Sequence, residues 1–389
     1  MNGEIYLDYA ATSAVRPPEV IDAVGHYLRE IGATPGRSGH ARSIDAGRMA
    51  LRCRQRLAEL FGIEGDPGRI VFQLNATHAL NVALLGLLAP GDRVIRTKLD
   101  HNAVRRPVAA LARRGVEEAV LDLTPGGAPD LDQLETLLRS GVGAVRLLVL
   151  PHASNVTGTV LPVSAMAEMA HEWGSLVLLD AAQTVGHYPV DVRDLGVDLM
   201  AFTGHKGIPG PQGMGGLWVT EGLELAPLVA GGTGGDSGSA EMPSAYPDHL
   251  EAGTQNAPGI AGLAAATEWV LAQGAELRHG RESALKRRLV EGLASIPQVR
   301  IHSAVDEPAV GIVTLVHEGI TPGELSSTLE REHGILGRAG LHCAPDIHAA
   351  LGTLASGAFR LSIGWATTCE EIDRTIAAFR DVGTRRENR

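Results

Sequence analysis

Residues 175–207 read SLVLLDAAQTVGHYPVDVRDLGVDLMAFTGHKG. They hold two short apolar runs, SLVLLD at 175–180 and DLMAF at 198–202, each followed at once by polar and glycine residues. Comparable runs stand at 70–72, 93–96, 146–150 and 216–219, and apolar residues at helical spacing lie between them, near 77–88, 103–114 and 162–173. Strands that alternate with amphipathic helices imply right-handed crossovers, so the pattern predicts an α/β fold with a mostly parallel, doubly wound sheet.

The pattern changes after about residue 258. It predicts helices near 258–273, 280–295 and 322–333, and strands near 311–316, 335–338 and 359–364. A last helix begins near residue 369, where Thr368-Cys369-Glu370-Glu371 forms a capping-box pattern. We therefore predict a large domain over 21–257 and, after a linking helix, a smaller α+β domain over 258–389. The N-terminal segment, residues 1–20, is expected to pack with the smaller domain.

The composition is that of an ordinary globular enzyme. The chain has 389 residues, of which 44% are hydrophobic and 20% charged, and its net charge of −11 argues against binding to nucleic acid or to anionic membranes. No apolar run is long enough to span a membrane, and the segment MNGEIYLDYAATS lacks the pattern of a signal peptide. Three irregularly spaced cysteines favour a reducing, cytoplasmic location, and no metal is expected.

Two polar residues follow the first apolar run of the opening stretch. Asp180 ends that run, and Gln183 stands three positions later. A carboxylate at the carboxyl end of a parallel strand faces the ligand crevice of an α/β sheet. The alternative interpretation is that Asp180 only caps the helix that follows.

Lys206 follows the second run, within the sequence Thr203-Gly204-His205-Lys206. A lysine sheltered from water has a lowered pKa, which suits it to Schiff-base chemistry. An isolated lysine is more often simply solvated at the surface. Because one strand separates Asp180 from Lys206, both side chains are expected to share one crevice.

A third feature is the start of the helix after the first strand, Asn75-Ala76-Thr77. Backbone amides and a hydroxyl at a helix N-terminus form an anion site, although a plain N-cap has the same sequence. An amine, an acid and an anion site are together what pyridoxal phosphate requires. The joint pattern is more specific than any of its parts.

These segments give the chain a resemblance to a known family. It resembles the class V aminotransferases among the fold-type I pyridoxal-phosphate-dependent transferases, and within them the cysteine desulfurases and selenocysteine lyases of the second group, closest to a subfamily described as cysteine desulfurase-like. The resemblance covers nearly the whole chain. Its motifs are YLDYAATS at 6–13, NATHALN at 75–81, DHNA at 100–103, HASNVTGT at 152–159, DAAQ at 180–183, TGHKG at 203–207, EAGTQN at 251–256 and RAGLHCAP at 338–345.

The resemblance implies a role for each matching residue. Lys206 would hold pyridoxal phosphate as a Schiff base, Asp180 would pair with its pyridinium nitrogen, and Gln183 would bond its phenolic oxygen. His101 would stack on the ring and take part in catalysis. The phosphate would be held by Thr77, Thr203, His205 and, from a second subunit of a homodimer, Thr254. Asn155 would contact both cofactor and substrate, Arg360 would bind the substrate carboxylate, and Arg338 would line the same pocket.

The same resemblance places Cys343 where these enzymes keep the nucleophile that accepts sulfur. An ordinary cysteine pKa of about 8.5 leaves only a few per cent of thiolate at pH 7. Arg338 and His342 are close in sequence and are expected to raise that fraction. The alternative is an inert structural cysteine. Cys53, on the apolar stripe of its helix, is expected in the core, and Cys369, at a helix start, has only a minor claim to a redox role.

The chain departs from the family pattern at three positions. Tyr9 replaces a frequent Asn and is expected to reshape the substrate side of the pocket. His78 replaces a frequent Glu and is expected to be solvated or packed, and Leu341 replaces the first member of a common His-His pair. Arg37 and His40, in a loop at 34–40, either reach the active site or lie on the surface.

The leading hypothesis from the sequence is an L-cysteine desulfurase that transfers sulfur to Cys343 and releases L-alanine, with a possible protein as sulfur acceptor. The runner-up is a pyridoxal-phosphate-dependent C–S or C–Se β-lyase, transaminase or epimerase that acts on another amino acid. A scaffold without catalytic activity is disfavoured because Lys206, Asp180, His101 and Arg360 are all retained.

Overall fold

The computed structural model describes residues 3–36, 39–139, 144–235, 238–304 and 308–387, and within these ranges it has thirteen strands and twelve α-helices. The strands are β1 (Ile5–Tyr6), β2 (Ile70–Gln73), β3 (Arg93–Thr97), β4 (Glu117–Leu121), β5 (Val145–Pro151), β6 (Leu176–Asp180), β7 (Leu199–Thr203), β8 (Gly215–Val219), β9 (Val299–Ile301), β10 (Ile312–His317), β11 (Ile335–Leu336), β12 (Arg338–Gly340) and β13 (Ala358–Ser362). The helices are α1 (Pro18–His26), α2 (Ala41–Leu60), α3 (Ala76–Leu87), α4 (Asn102–Ala112), α5 (Leu131–Arg139), α6 (Val163–Glu172), α7 (Val192–Leu195), α8 (Ala257–Gln273), α9 (Ala275–Ala294), α10 (Pro322–His333), α11 (Pro345–Ala350) and α12 (Cys369–Glu387).

The largest sheet has seven strands in the order β2-β8-β7-β6-β5-β3-β4. Strand β8 is antiparallel to both of its neighbours, and the remaining pairs are parallel. Every second residue of a central strand faces the same side of the sheet, and both sides are buried here. Along β6, for example, Val177 and Leu179 belong to one apolar cluster and Leu178 to another. The predicted α/β class with a mostly parallel, doubly wound sheet is therefore confirmed.

A second sheet is antiparallel throughout and has the order β12-β13-β10-β9. Its apolar face packs with α9, α10 and α12 in a third cluster. Ile5 and Leu7 belong to this cluster, and β1 pairs in parallel with β11. The beginning of the chain thus packs against its last third. The domain boundaries given above remain a prediction.

The predicted elements of the central sheet coincide with observed ones to within a few residues, and the capping box at the last helix is present. There, Thr368 and Glu371 exchange hydrogen bonds between side chain and backbone. The sequence pattern missed the edge strand β4 and helix α5. Strand β4 carries two glutamates and is exposed at its start, so its apolar signal is short. None of the helices in the described ranges has the length and apolar character needed to cross a bilayer.

A buried ion pair fastens α2 to the edge of the large sheet. Nη2 of Arg54 donates to both carboxylate oxygens of Glu251 at 2.7 Å, and its Nε donates to the carbonyl of Ile70 at 3.0 Å. Glu251 also accepts from the backbone N–H of Phe72, and the guanidinium lies over the Phe72 ring. The side chains of Arg54 and Glu251 are only 8% and 2% exposed. Water therefore cannot replace either partner of the pair.

We expect Glu251→Gln to lower the free energy of unfolding by about 3–5 kcal/mol, because it leaves the Arg54 charge buried and uncompensated. Chemical denaturation of the cofactor-free protein measures this loss. The matched control is Arg52→Gln, which breaks the exposed Arg52–Glu268 pair and should cost at most about 1 kcal/mol. Equal losses in the two variants would contradict the role given to the buried pair.

Candidate active site

The central sheet and the second sheet meet at a cavity of about 260 Å³. Asp180 and Thr203 are the last residues of the adjacent parallel strands β6 and β7, so both reach the same edge of the sheet. A smaller cavity of about 60 Å³ continues from the first and includes Asp180. The larger cavity is lined by Ala10, Ala11, Asn75, Ala76, Thr77, His101, Asn155, Gln183, Thr203, His205, Lys206, Arg338, His342 and Arg360.

Two glycines allow the loops after β6 and β7 to touch. A Cβ atom on Gly186 would lie 2.4 Å from the carbonyl carbon of Gly207, and one on Gly207 would lie 2.2 Å from the carbonyl oxygen of Val185. Gly186 also has a φ of 81°, in the left-handed region that favours glycine. Arg278 secures the same contact from α9, since its Nη1 donates to the Gly207 carbonyl at 2.9 Å. Lys206 is thereby held over the end of β6.

Lys206 and Asp180 influence each other's protonation. Burial lowers the pKa of Lys206 to about 8, and the Asp180 carboxylate opposes that shift. Burial raises the pKa of Asp180, while the N–H of Ala182, which donates to Oδ1 at 3.0 Å, and the charge of Lys206 act in the other direction. The amine is therefore partly neutral near physiological pH. A neutral amine is the form that attacks a carbonyl carbon.

The cavity has an anion site opposite Lys206. Asn75 caps α3 by accepting from the N–H of His78 at 2.9 Å, and the side chain of Thr77 stays exposed. The hydroxyl of Thr203 is buried and has no hydrogen-bond partner among the described residues. Nδ1 of His205 lies 3.1 Å from the hydroxyl of Thr12. A free buried hydroxyl beside a helix N-terminus fits a phosphate group.

His101 lies on the other side of the cavity as the N-cap of α4. Its Nδ1 accepts from the N–H of Ala103 at 3.0 Å, so that nitrogen carries no proton. Burial, followed by the positive charge of Lys206, lowers the pKa of His101 to about 4. The ring is therefore neutral at pH 7.

Nε2 of Gln183 donates to the carbonyl of Ala10 at 3.2 Å, which fixes its amide at the cavity wall.

Arg360 lies almost fully buried on β13, with 1% of its surface exposed. Nη2 donates to Asp8 at 2.8 Å, and Nη1 donates to the carbonyl of Asn155 at 3.0 Å. Its Nε is buried without a partner among the described residues. Arg338 is its neighbour across the antiparallel β12–β13 pair. Two guanidinium groups thus face the cavity, and one already binds a carboxylate.

Cys343 stands on a four-residue turn, directly after His342, which lines the cavity. The N–H of Ala344 donates to the carbonyl of Leu341 at 2.9 Å, and the two central residues, His342 and Cys343, have φ values of 50° and 58°. Positive φ at both central positions is typical of a type I′ turn. Cys343 is exposed, and its carbonyl accepts from the N–H of Asn102 at 2.7 Å.

The structure corrects the expectation for His342. Its Nε2 donates to the carbonyl of Arg338 at 3.0 Å and its Nδ1 lies 3.2 Å from Nε2 of His348, so both nitrogens are engaged. Burial, and then the charge of Arg360, lowers the pKa of His342 to about 3. His342 is therefore neutral at pH 7 and brings no positive charge to the turn. Any positive charge beside the turn comes from the arginines.

Of the predicted cofactor ligands, Thr254 alone lines neither of these two cavities. It lines a third cavity, also of about 260 Å³, together with His78 and Gln73. His78, one of the departures, is half-buried and hydrogen-bonded to Gln73. It is thus packed rather than solvated. The role given to Thr254 needs a second subunit and remains a prediction.

The other two departures do not enter the cavity. The Tyr9 ring is buried against the Tyr6 ring, 5.1 Å between centroids, and a Cβ on Gly364 would clash with it at 2.2 Å. Tyr9 is not among the residues that line the cavity, so the expectation that it reshapes the substrate side is not supported. Leu341 is exposed.

Three of the remaining residues singled out by sequence, Cys53, Cys369 and His40, are not among those that line the cavity. Cys53 is fully buried in the core, as expected, and Cys369 is exposed at the start of α12. His40 is exposed and caps α2. Arg37 lies outside the described residues.

Comparisons with known proteins identify the family of the chain. The model of the family described as aminotransferase class-V matches residues 5–375. The chain belongs to this family.

Members of the class V aminotransferase family align with nearly the whole chain. A cysteine desulfurase of Pectobacterium atrosepticum is 35% identical over 98% of this chain and 94% of its own length. A probable cysteine desulfurase of Methanothermobacter thermautotrophicus is 33% identical, with 96% and 93% covered. The apo structure of a cysteine desulfurase from Thermococcus onnurineus NA1 superposes with a TM-score of 0.91 at 28% identity, with 98% and 95% covered. The resemblance inferred from the motifs, including the fold-type I architecture, is confirmed.

Sequence reasoning missed two features of this class V site. Asp8 belongs to the motif YLDYAATS, but its pairing with Arg360 depends on a β-bridge between the N-terminal segment and β13. His348, which contacts His342 from α11, gave no signal because an isolated histidine in a short helix is unremarkable.

We expect Lys206 in the cofactor-free protein to react with an amine-acylating reagent with a midpoint near pH 8, below the ordinary lysine value of about 10.4. Asp180→Asn should move this midpoint to lower pH, because the Asp180 carboxylate favours the charged amine. Mass spectrometry of the Lys206 peptide across a pH series measures both midpoints. A midpoint that rises in Asp180→Asn would contradict the coupling.

Proposed function

We propose that this protein is a pyridoxal-phosphate-dependent cysteine desulfurase that moves sulfur from L-cysteine to Cys343 and releases L-alanine. The observation that carries the proposal is the exposed cysteine Cys343, which stands on a turn whose other central residue, His342, lines the cavity that also holds Lys206 and Arg360. Membership of the class V aminotransferase family and relatives named cysteine desulfurase support it.

The residues of the cavity fit pyridoxal phosphate. Lys206 has a partly neutral amine for the Schiff base, and the buried Asp180 carboxylate would pair with the pyridinium nitrogen. The buried hydroxyl of Thr203 would donate to the phosphate. Thr77 and His205 would also contact the phosphate, Gln183 the phenolic oxygen, and His101 the ring face, with Asn155 at its edge. When bound, the cofactor withdraws electrons from the substrate Cα.

Arg360 would bind the α-carboxylate of the substrate. Nη2 of Arg360 already donates to the Asp8 carboxylate at 2.8 Å, which supports a carboxylate-binding role for this guanidinium. Its Nε and the neighbouring Arg338 provide further donors on the cavity side. A guanidinium binds a carboxylate best through two parallel hydrogen bonds. The substrate would be oriented with its amino group toward Lys206 and its thiol toward Cys343.

Lys206 and Cys343 would then do separate work. Lys206, with a pKa near 8, can take a proton from the substrate Cα and return one to the product. The Cys343 thiolate attacks the substrate sulfur, a sulfur–sulfur bond forms on Cys343, and the Cβ–S bond breaks. The electron pair of that bond stays with Cβ, which takes up a proton, so L-cysteine and the enzyme thiol become L-alanine and a persulfide without any external oxidant.

We propose further that the protein works as a homodimer. Thr254 lines the third cavity, which is also lined by three exposed apolar side chains, Leu74, Leu228 and Val229. A second subunit that covers these side chains would bring Thr254 to a neighbouring phosphate site. The exposed thiol of Cys343 is open to a sulfur-acceptor protein, and a free thiol of this kind suits the reducing cytoplasm.

We expect Cys343→Ser to abolish persulfide formation and to reduce the rate of alanine release from L-cysteine to a small fraction of the wild-type rate, because a hydroxyl cannot accept sulfur. Mass spectrometry of the protein and product analysis of alanine against pyruvate measure the effect. The matched control is Cys369→Ser, which removes the other exposed cysteine and should keep full activity. A fully active Cys343→Ser that releases pyruvate and ammonia would favour the β-lyase alternative.

We expect Arg360→Ala to raise KM for L-cysteine roughly 10- to 150-fold, since hydrogen bonds to a charged group contribute about 1.5–3 kcal/mol. The effect should be specific for the carboxylate. Binding of cysteamine, which lacks that group, should change little, and competition against L-cysteine measures it. Equal weakening of both ligands would indicate a damaged cavity rather than a lost carboxylate site.

A further inference from the structure

Behind Cys343, three buried side chains form one continuous hydrogen-bonded row. Nε2 of His342 lies 3.0 Å from the Arg338 carbonyl, and its Nδ1 lies 3.2 Å from Nε2 of His348. Nδ1 of His348 lies 2.8 Å from the hydroxyl of Thr353. These side chains belong to residues that are 3%, 0% and 3% exposed. The row therefore joins β12, the Cys343 turn and α11 through direct contacts between protein groups.

The direction of each hydrogen bond in the row follows from its first acceptor. A carbonyl oxygen can only accept, so Nε2 of His342 carries a proton and its Nδ1, in the neutral ring, accepts. Nε2 of His348 must then donate, and its Nδ1 accepts from the Thr353 hydroxyl. Burial lowers the pKa of His342 to about 3 and that of His348 to about 4, so both rings are neutral at pH 7. The row acts through geometry and not through charge.

The turn that the row supports is strained. Neither His342 nor Cys343 is a glycine, and residues with a Cβ atom adopt left-handed backbone only at a cost in free energy. Two hydrogen bonds to backbone carbonyls hold the turn from one side. The Cys343 carbonyl accepts from the N–H of Asn102, and the His342 carbonyl accepts from Nδ2 of Asn155 at 2.8 Å. The His342 ring holds it from the other. The Arg338 carbonyl and His348 together fix the orientation of that ring.

We propose that His348 is a positioning residue for sulfur transfer: through His342 it fixes the left-handed turn that presents the Cys343 thiol to the substrate. This inference rests on the proposed desulfurase function. His348 does not line the cavity, so it acts through His342 and does not touch the substrate. Thr353 has the same role one step further away, because it fixes the tautomer of His348.

The test compares His348→Leu with His348→Gln. The glutamine amide places a donor near the position of the histidine Nε2, whereas leucine fills the space and leaves His342 Nδ1 without a donor. Two steps are measured in the holoenzyme: persulfide formation on Cys343 in a single turnover with L-cysteine, and exchange of the Cα proton of L-alanine with deuterium, which requires Lys206 but no thiol. We expect His348→Leu to slow persulfide formation roughly 10- to 100-fold, as misplacement of a reacting group by about 1 Å does. The exchange rate should stay within about twofold, and His348→Gln should recover most of the loss.

A second pair of variants covers the case in which leucine prevents folding. Thr353→Val removes the donor to His348, and Thr353→Ser keeps it, so only the valine variant should slow persulfide formation. Amide hydrogen exchange at Ala344 in the cofactor-free protein reports on the turn itself, since that N–H donates to Leu341. Exchange there should accelerate in His348→Leu and Thr353→Val and stay unchanged in His348→Gln and Thr353→Ser.

Several results would overturn the inference. Persulfide formation at the wild-type rate in His348→Leu or in Thr353→Val would do so. An equal fall in the rates of persulfide formation and proton exchange would also do so, because it indicates general damage to the cavity. Unchanged amide exchange at Ala344 in both variants would also do so. A wild-type protein that forms no persulfide would instead refute the proposed function, while the amide-exchange comparison would still decide whether His348 fixes the turn.

Discussion

The contact of backbone with backbone at Gly186 and Gly207 is the constraint on which the site depends. A side chain at either position would overlap main-chain atoms of the opposite loop. The loops after β6 and β7 are therefore in direct backbone contact. That approach places Lys206 over Asp180, shields the amine from water and lowers its pKa to about 8. The parallel sheet supplies the edge, and the two glycines make it a place where an amine and an acid share one small volume.

The charge in the cavity is concentrated in a few fixed groups. Burial lowers the pKa values of His101, His205 and His342 far enough that all three rings are neutral at pH 7. The positive charge that remains belongs to Lys206 and the two arginines, Arg338 and Arg360, and Asp8 balances part of it. Such a cavity favours anionic groups, and it does so over a wide range of pH because guanidinium groups do not lose their protons.

The sequence predicted the parts of this structure that depend on neighbouring residues. The apolar runs gave the central strands, and the positions of Asp180 and Lys206 at strand ends followed from them because parallel strands end at one edge. What it could not give depends on register and turn geometry between distant segments. Asp8 meets Arg360 across 352 positions, and His348 reaches His342 only because the intervening turn is left-handed. The roles assigned to the individual cofactor and substrate ligands remain predictions.

The Cys343 turn is fastened both at the cysteine itself and in the helix that follows it. Asn102 holds the Cys343 carbonyl, and three residues further on in α11, Asp346 pairs with Arg96 at 2.8 Å and with Arg105 at 3.2 Å. A turn anchored on both sides cannot swing outward as a carrier arm. On the proposed function, the acceptor must come to the protein and enter far enough to meet a stationary sulfur atom. The shape of the rim around Leu341, more than the chemistry of the thiol, would then select which acceptors are served.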